Sequence, residues 1–151
     1  MRSRELRERK KPMYKVILVS HGALAEAMYR TAELIAGKHE GVETFGLHLG
    51  DDVEAFRSTV ESAIERAVKT DELLVLSDIQ SGSPFNVAVG AMMKYKFRHV
   101  TGMNLAMVVE ALGGCRCMTL EEITEDLAAL GRGGITDVNA LLESRDTEEE
   151  D

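Results

Sequence analysis

The sequence predicts an α/β fold built on a mainly parallel sheet, and three observations lead there. Residues 13–20 and 73–76 are continuous apolar runs, the pattern of strands buried on both faces. Between the strand-like runs lie segments whose apolar residues recur at helical spacing. Strand and helix therefore alternate along the chain, as a parallel sheet with crossover helices requires. At 151 residues the chain is the length of one domain, enough to bury roughly two-thirds of its unfolded surface.

Taken in order, residues 13–20 form the first strand and lead directly into a helix with Leu24, Ala27, Met28, Thr31, Leu34 and Ile35 on one face, stopped at Gly37. Residues 42–49 read as the second strand. Val53, Phe56, Val60, Ile64 and Ala67 give the next helix its apolar stripe. The third strand, residues 73–76, is the most hydrophobic of the set. Pro84 stands where a first helical turn begins, with Ser83 before it as the expected cap, which predicts a helix over residues 84–94. Residues 97–101 are a weaker fourth strand, and Asn104 caps a helix running to about Leu112. Thr119 and Glu122 have capping-box spacing, with Met118 and Ile123 placed as a hydrophobic staple. The last segment, residues 135–142, is expected to form a short strand and a turn.

The hydrophobic content of 44% and charged content of 29% are those of a soluble globular protein. No apolar run reaches the roughly 18 residues of a membrane span, and the basic N-terminus lacks the apolar core of a secretory signal. Net charge is −8, with a basic arm at residues 1–12 and an acidic tail at residues 143–151, both expected to be disordered. They flank a domain at residues 13–142. An acidic body argues against nucleic acid as a partner. Cys115 and Cys117 stand alone, so neither a structural disulfide nor a zinc site is expected, and the chain reads as cytoplasmic.

Chemistry in parallel sheets gathers at the carboxyl ends of the strands. Three such ends carry unusual polar sequences: Ser20-His21-Gly22, the stretch from Ser77 to Asn86, and Thr101-Gly102 with Asn104. A carboxylate at Asp78, directly after an apolar strand, needs a partner or a place at the rim. With strands one and three as neighbours, Asp78 faces His21. A carboxylate on one imidazole nitrogen fixes the tautomer and stabilises positive charge on the ring, leaving the other nitrogen as a nucleophile. Ser81, Gly82 and Ser83 lead into a helix N-terminus, whose amides and dipole suit a phosphate. Together these residues predict a phosphohistidine site. His48 ends the second strand and could lie near it, whereas His39 and His99 read as structural. No metal or cofactor is expected.

The ordered set of Ser20-His21-Gly22 with Leu24-Ala25-Glu26, Asp78 with Gly82-Ser83-Pro84-Phe85-Asn86, and Thr101-Gly102 with Asn104-Leu105 resembles the mannose-family enzyme IIA domains of the bacterial sugar phosphotransferase system. The resemblance implies a doubly wound sheet of order 2-1-3-4 with helices on both faces. It also implies a homodimer that exchanges a C-terminal antiparallel strand, for which residues 135–138 would be the counterpart. His21 would accept a phosphoryl group from the phosphocarrier protein HPr and pass it to a mannose-type, histidine-bearing enzyme IIB for sugar uptake. Asp78 would orient the ring, and Ser83 would help hold the phosphoryl oxygens. The chain departs from the family pattern at Gln80-Ser81, where an aromatic residue and a glycine are usual, and at Ala106, which often is proline. These changes bear on the partner-facing surface. A regulatory phosphocarrier of the same fold, similar to the phosphocarrier subunit of dihydroxyacetone kinase, is the alternative reading, and a small hydrolase using His21 as a transient nucleophile is a third.

Overall fold

The computed structural model describes residues 11–148, and the side chains of residues 11–145. Four strands form one sheet: β1 (Lys15–His21), β2 (Val42–Leu47), β3 (Leu73–Ser77) and β4 (Arg98–Thr101), in the order β2-β1-β3-β4 and all parallel. The helices are α1 (Leu24–Ala36), α2 (Val53–Thr70), α3 (Ser83–Met92), α4 (Leu105–Gly114), α5 (Leu120–Gly133) and α6 (Val138–Glu148). This is the doubly wound arrangement and strand order that the resemblance implied.

The continuous apolar runs explain why β1 and β3 sit in the middle. Val16 and Leu18 of β1, with Leu74 and Leu76 of β3, pack against α1, α4 and α5 on one face. The alternate residues Ile17, Val19, Leu73 and Val75 pack against Phe56, Val60 and Ile64 of α2 and Val87, Ala88 and Ala91 of α3 on the other. Each of these strand side chains is almost wholly buried, and each contributes roughly 1.5–3 kcal/mol relative to an exposed position. Side chains of period two thus feed two cores at once.

Caps set several helix starts. Asp52 accepts from the amides of Glu54 and Ala55, and Asn104 accepts from Met107. The expected capping box is present at Thr119 and Glu122, with Met118 and Ile123 in the same apolar cluster. Among the described residues, no helix is long and apolar enough to cross a membrane.

Several boundaries differ from the sequence expectation: β1 starts at Lys15, β3 runs to Ser77, α3 ends at Met92 and α4 runs to Gly114. β1 extends one residue further, so His21 is its last residue, hydrogen-bonded in register with Leu47. β2 stops at Leu47, which leaves His48 in the loop. Gly82 rather than Ser83 occupies the cap position of α3, and Ser83 is the first helical residue. Phe97 lies outside β4 but is buried beneath α2 and α3.

The C-terminal segment is the larger correction. Residues 135–142, expected as a strand and a turn, contain no strand: Val138 onward is helical. Asp137 accepts from the amides of Asn139 and Ala140, the local geometry of a helix N-cap. Ala140, Leu141, Leu142 and Glu143 are good helix formers. The acidic segment from Glu143, expected to be disordered, continues that helix to Glu148. The expectations for residues 1–10 and 149–151 lie outside the described residues.

Because Leu18 is wholly buried between β1 and the layer of α1, α4 and α5, truncating it leaves a cavity in that core. Leu18→Ala should cost about 2–5 kcal/mol, measured as a shift in urea-unfolding midpoint at unchanged slope. A cost below about 1 kcal/mol would place Leu18 outside a close-packed core.

Candidate active site

The carboxyl ends of β1 and β3 meet at one carboxylate. Asp78 Oδ2 accepts from the backbone N–H of His21 at 2.9 Å and from ring Nδ1 at 2.8 Å, while Oδ1 accepts from the Ile79 amide at 2.9 Å. Asp78 is 8% exposed. Burial alone would raise its pKa, but the hydrogen bonds from the His21 amide, the His21 ring and the Ile79 amide together outweigh it and hold the carboxyl below the usual carboxylate range. An ionised carboxylate can only accept, so Nδ1 carries the proton and the lone pair lies on Nε2. The His21 side chain is 46% exposed, which opens Nε2 to a partner.

The loop before α3 is pressed against that nitrogen. A Cβ built on Gly82 would lie 2.8 Å from Nε2 and 2.9 Å from Cε1 of His21, and Gly82 has φ of +88°. A side chain here would be strained and would also cover the ring. The first intrahelical bond of α3 runs from Asn86 to the Gly82 carbonyl. The amides of Ser83 and Phe85 in the first turn have no hydrogen-bond partner among the described residues, and Pro84 has no N–H to offer. They leave a small patch of positive potential beside Nε2, reinforced by the helix dipole.

The candidate residues separate accordingly. His21, Asp78 and Gly82 are brought together. Ser81 and Ser83 adjoin them in the chain, Ser81 exposed and Ser83 half-buried, but neither hydroxyl is hydrogen-bonded to His21 or Asp78. His48 is exposed and lies over Gly46, its Nε2 3.4 Å from where a Cβ on that glycine would be. Its backbone N–H is held by Asp51, and its ring makes no hydrogen bond to His21. His39 bonds the Gly37 carbonyl just after α1, at the opposite end of the sheet.

Sequence reasoning passed over Gly46. A Cβ there would lie 2.0 Å from the Gly22 carbonyl oxygen, so only a glycine lets the turn after His21 close down on β2, where the Gly22 amide donates to Leu47 at 2.8 Å. A glycine inside a strand is itself a signal of close backbone approach.

Residues 15–128 match the family model EIIA-man, described as PTS system fructose IIA component. The chain belongs to this family. The chain is 30% identical over 98 residues to the PTS system mannose-specific EIIAB component of Escherichia coli strain K12, a match covering 64% of this chain and 30% of that longer protein. It is 27% identical over 113 residues to the PTS system sorbose-specific EIIA component of Lacticaseibacillus casei, covering 74% of this chain and 81% of the relative. The crystal structure of phosphotransferase system component EIIA from Streptococcus agalactiae superposes with a TM-score of 0.77 at 27% identity, over 85% of this chain and 99% of that one. The EIIA fold therefore accounts for the sheet and both helical layers.

Within this EIIA chain the depressed pKa of Asp78 has a stability consequence of fixed sign. A carboxyl with a lowered folded-state pKa contributes stability at pH values above its unfolded pKa of about 3.9, and that stability is lost as pH falls through the folded value. Asp78→Asn should remove this part of the acid limb. Urea unfolding of wild type and variant between pH 6 and pH 2 should show curves that converge as the pH drops. Curves that stay parallel would mean that the carboxylate gains nothing from its three donors.

Proposed function

We propose that this EIIA chain is a phosphohistidine carrier of a sugar phosphotransferase system, accepting a phosphoryl group from HPr on His21 and passing it to a mannose-type enzyme IIB. The observation that carries the reading is the state of the His21 ring: Nδ1 committed to Asp78, Nε2 free, half-exposed and set against the start of α3.

The chemistry follows from that geometry. The Nε2 lone pair attacks phosphorus while the bond between phosphorus and the donor histidine nitrogen breaks, its electron pair returning to the donor ring. The accepting ring gains positive character, and Asp78 offsets it through Nδ1–H without itself taking the proton. The phosphoryl oxygens turn toward the unpartnered amides of Ser83 and Phe85, whose fixed dipoles replace the water that the group loses. Ser81 and Ser83 add hydroxyls at the edge of this cradle. Transfer to the acceptor runs the same steps in reverse, with the acceptor's histidine nitrogen as nucleophile.

Leu24 at the start of α1, and Leu49 and Ile79 in the loops after β2 and β3, are exposed at the same end of the sheet as His21, and Gln80 is exposed beside Ile79. These exposed apolar side chains beside a half-exposed ring suit docking of a protein rather than a free sugar.

Incubation with phosphoenolpyruvate, enzyme I and HPr should place an acid-labile phosphate on the protein, and His21→Ala should abolish it. Asp78→Asn should fold and yet accept phosphate about tenfold more slowly or worse, the usual scale of acid–base support. Label that survives His21→Ala but vanishes in His48→Ala would contradict the assignment, and an unchanged rate in Asp78→Asn would reduce that residue to a turn cap.

A further inference from the structure

One polar cluster sits on a sheet face that is otherwise apolar. On the side covered by α2 and α3, the ends of β3 and β4 present Ser77, His99 and Thr101 instead of further aliphatic residues. Ser77 is wholly buried. Its Oγ lies 2.8 Å from Thr101 Oγ1 and 2.7 Å from His99 Nε2. A hydroxyl has one proton, so with Ser77 donating to Thr101 the ring must donate from Nε2. The parallel register that pairs Ser77 with Thr101 makes this trio possible.

The trio leads upward to the site. The His99 ring packs on Phe85 with centroids 5.5 Å apart and planes tilted by 43°. Phe85 lies in the first turn of α3, three residues after Gly82, and its own amide is one of the two unpartnered donors beside His21. The Ser77 carbonyl accepts from Met103, so β3, β4 and the start of α4 are fixed at this point. Desolvating three polar groups in an apolar layer costs stability that a valine or leucine would not lose, and a fully hydrogen-bonded cluster instead specifies one arrangement.

We propose that His99 is a positioning residue, anchored by Ser77 and Thr101, whose ring props Phe85 and so sets where the first turn of α3 meets the phosphoryl group on His21. Burial pushes the His99 pKa down, and the bond between Ser77 Oγ and Nε2 selects the ring's tautomer. A lost anchor lets the ring turn, Phe85 settle and the Ser83 and Phe85 amides move away from Nε2.

This proposal rests on the phosphoryl-carrier reading, and its test separates the two. Label transfer from phosphorylated HPr to the full-length protein is timed for wild type, His99→Leu, Thr101→Val and Thr101→Ser, with thermal melts and amide ¹H–¹⁵N spectra of each. His99→Leu should slow transfer about tenfold and Thr101→Val severalfold, short of the roughly hundredfold that an ångström of misplacement costs. The HPr concentration for half-maximal rate should be unchanged, and Thr101→Ser, which keeps the hydroxyl, should react as wild type. The Ser83 and Phe85 amide resonances should shift in His99→Leu and Thr101→Val and stay in place in Thr101→Ser. Thr101→Val matching Thr101→Ser in rate overturns the proposal, and it decides the matter if His99→Leu does not fold. Absence of label on wild type defeats the carrier reading, and the amide resonances then judge the anchor alone: unmoved, they overturn it.

Discussion

The carboxylate of Asp78 joins the ends of the two central strands, and most of what surrounds it follows from that joint. One oxygen takes both the backbone N–H and the ring Nδ1 of His21, so the direction of the imidazole is coupled to the direction of β1 itself. The coupling needs β1 and β3 to be neighbours, which the order β2-β1-β3-β4 supplies. It also needs both strands to be rigid where they end. Burial on two faces provides that rigidity: Val19 and Ser77, paired across the two strands, have no exposed surface. With its backbone N–H and its ring Nδ1 bonded to the same oxygen, His21 has little freedom except to present Nε2 outward.

Glycines then decide how closely the rest can approach. Gly82 brings the backbone before α3 to within a missing methyl of His21 Nε2, and Gly46 allows the turn at Gly22 to rest on β2. In both places the absence of a side chain is what permits the approach, since a Cβ would meet the ring or a carbonyl at less than contact distance. The helix start that results offers amides rather than side-chain cations. For the transferable group proposed above, fixed dipoles of moderate strength suit release better than a lysine or arginine that would hold it.

Much of this was legible in the sequence, and the reasons are particular. The runs at β1 and β3 could be read because strands buried on both faces lose the polar alternation that a surface strand keeps. The start of α5 could be read because Thr119, Glu122, Met118 and Ile123 make a local pattern that needs nothing from the rest of the chain. His21 and Asp78 could be paired because both follow central strands at the same end of the sheet. What depends on distant backbone was hidden. The close approach at Gly46 arises from the loop after β1, and the Ser77, His99 and Thr101 cluster exists only once β3 and β4 pair in one register. Residues 135–142 were misread because a short apolar segment fits either period, and Asp137 tipped it to a helix through a cap whose strength the pattern does not display.

The commitment of Nδ1 to Asp78 makes one measurement more direct than any rate. The protein, labelled with ¹⁵N at histidine and phosphorylated through HPr, is examined by long-range ¹H–¹⁵N correlation and ³¹P coupling to identify which nitrogen of which histidine bears phosphorus. A single phosphohistidine at Nε2 of His21, with Nδ1 still protonated and hydrogen-bonded, is the expected result. Phosphorus on Nδ1 of His21, or on any other histidine, would contradict the role given to Asp78 and with it the site as a whole.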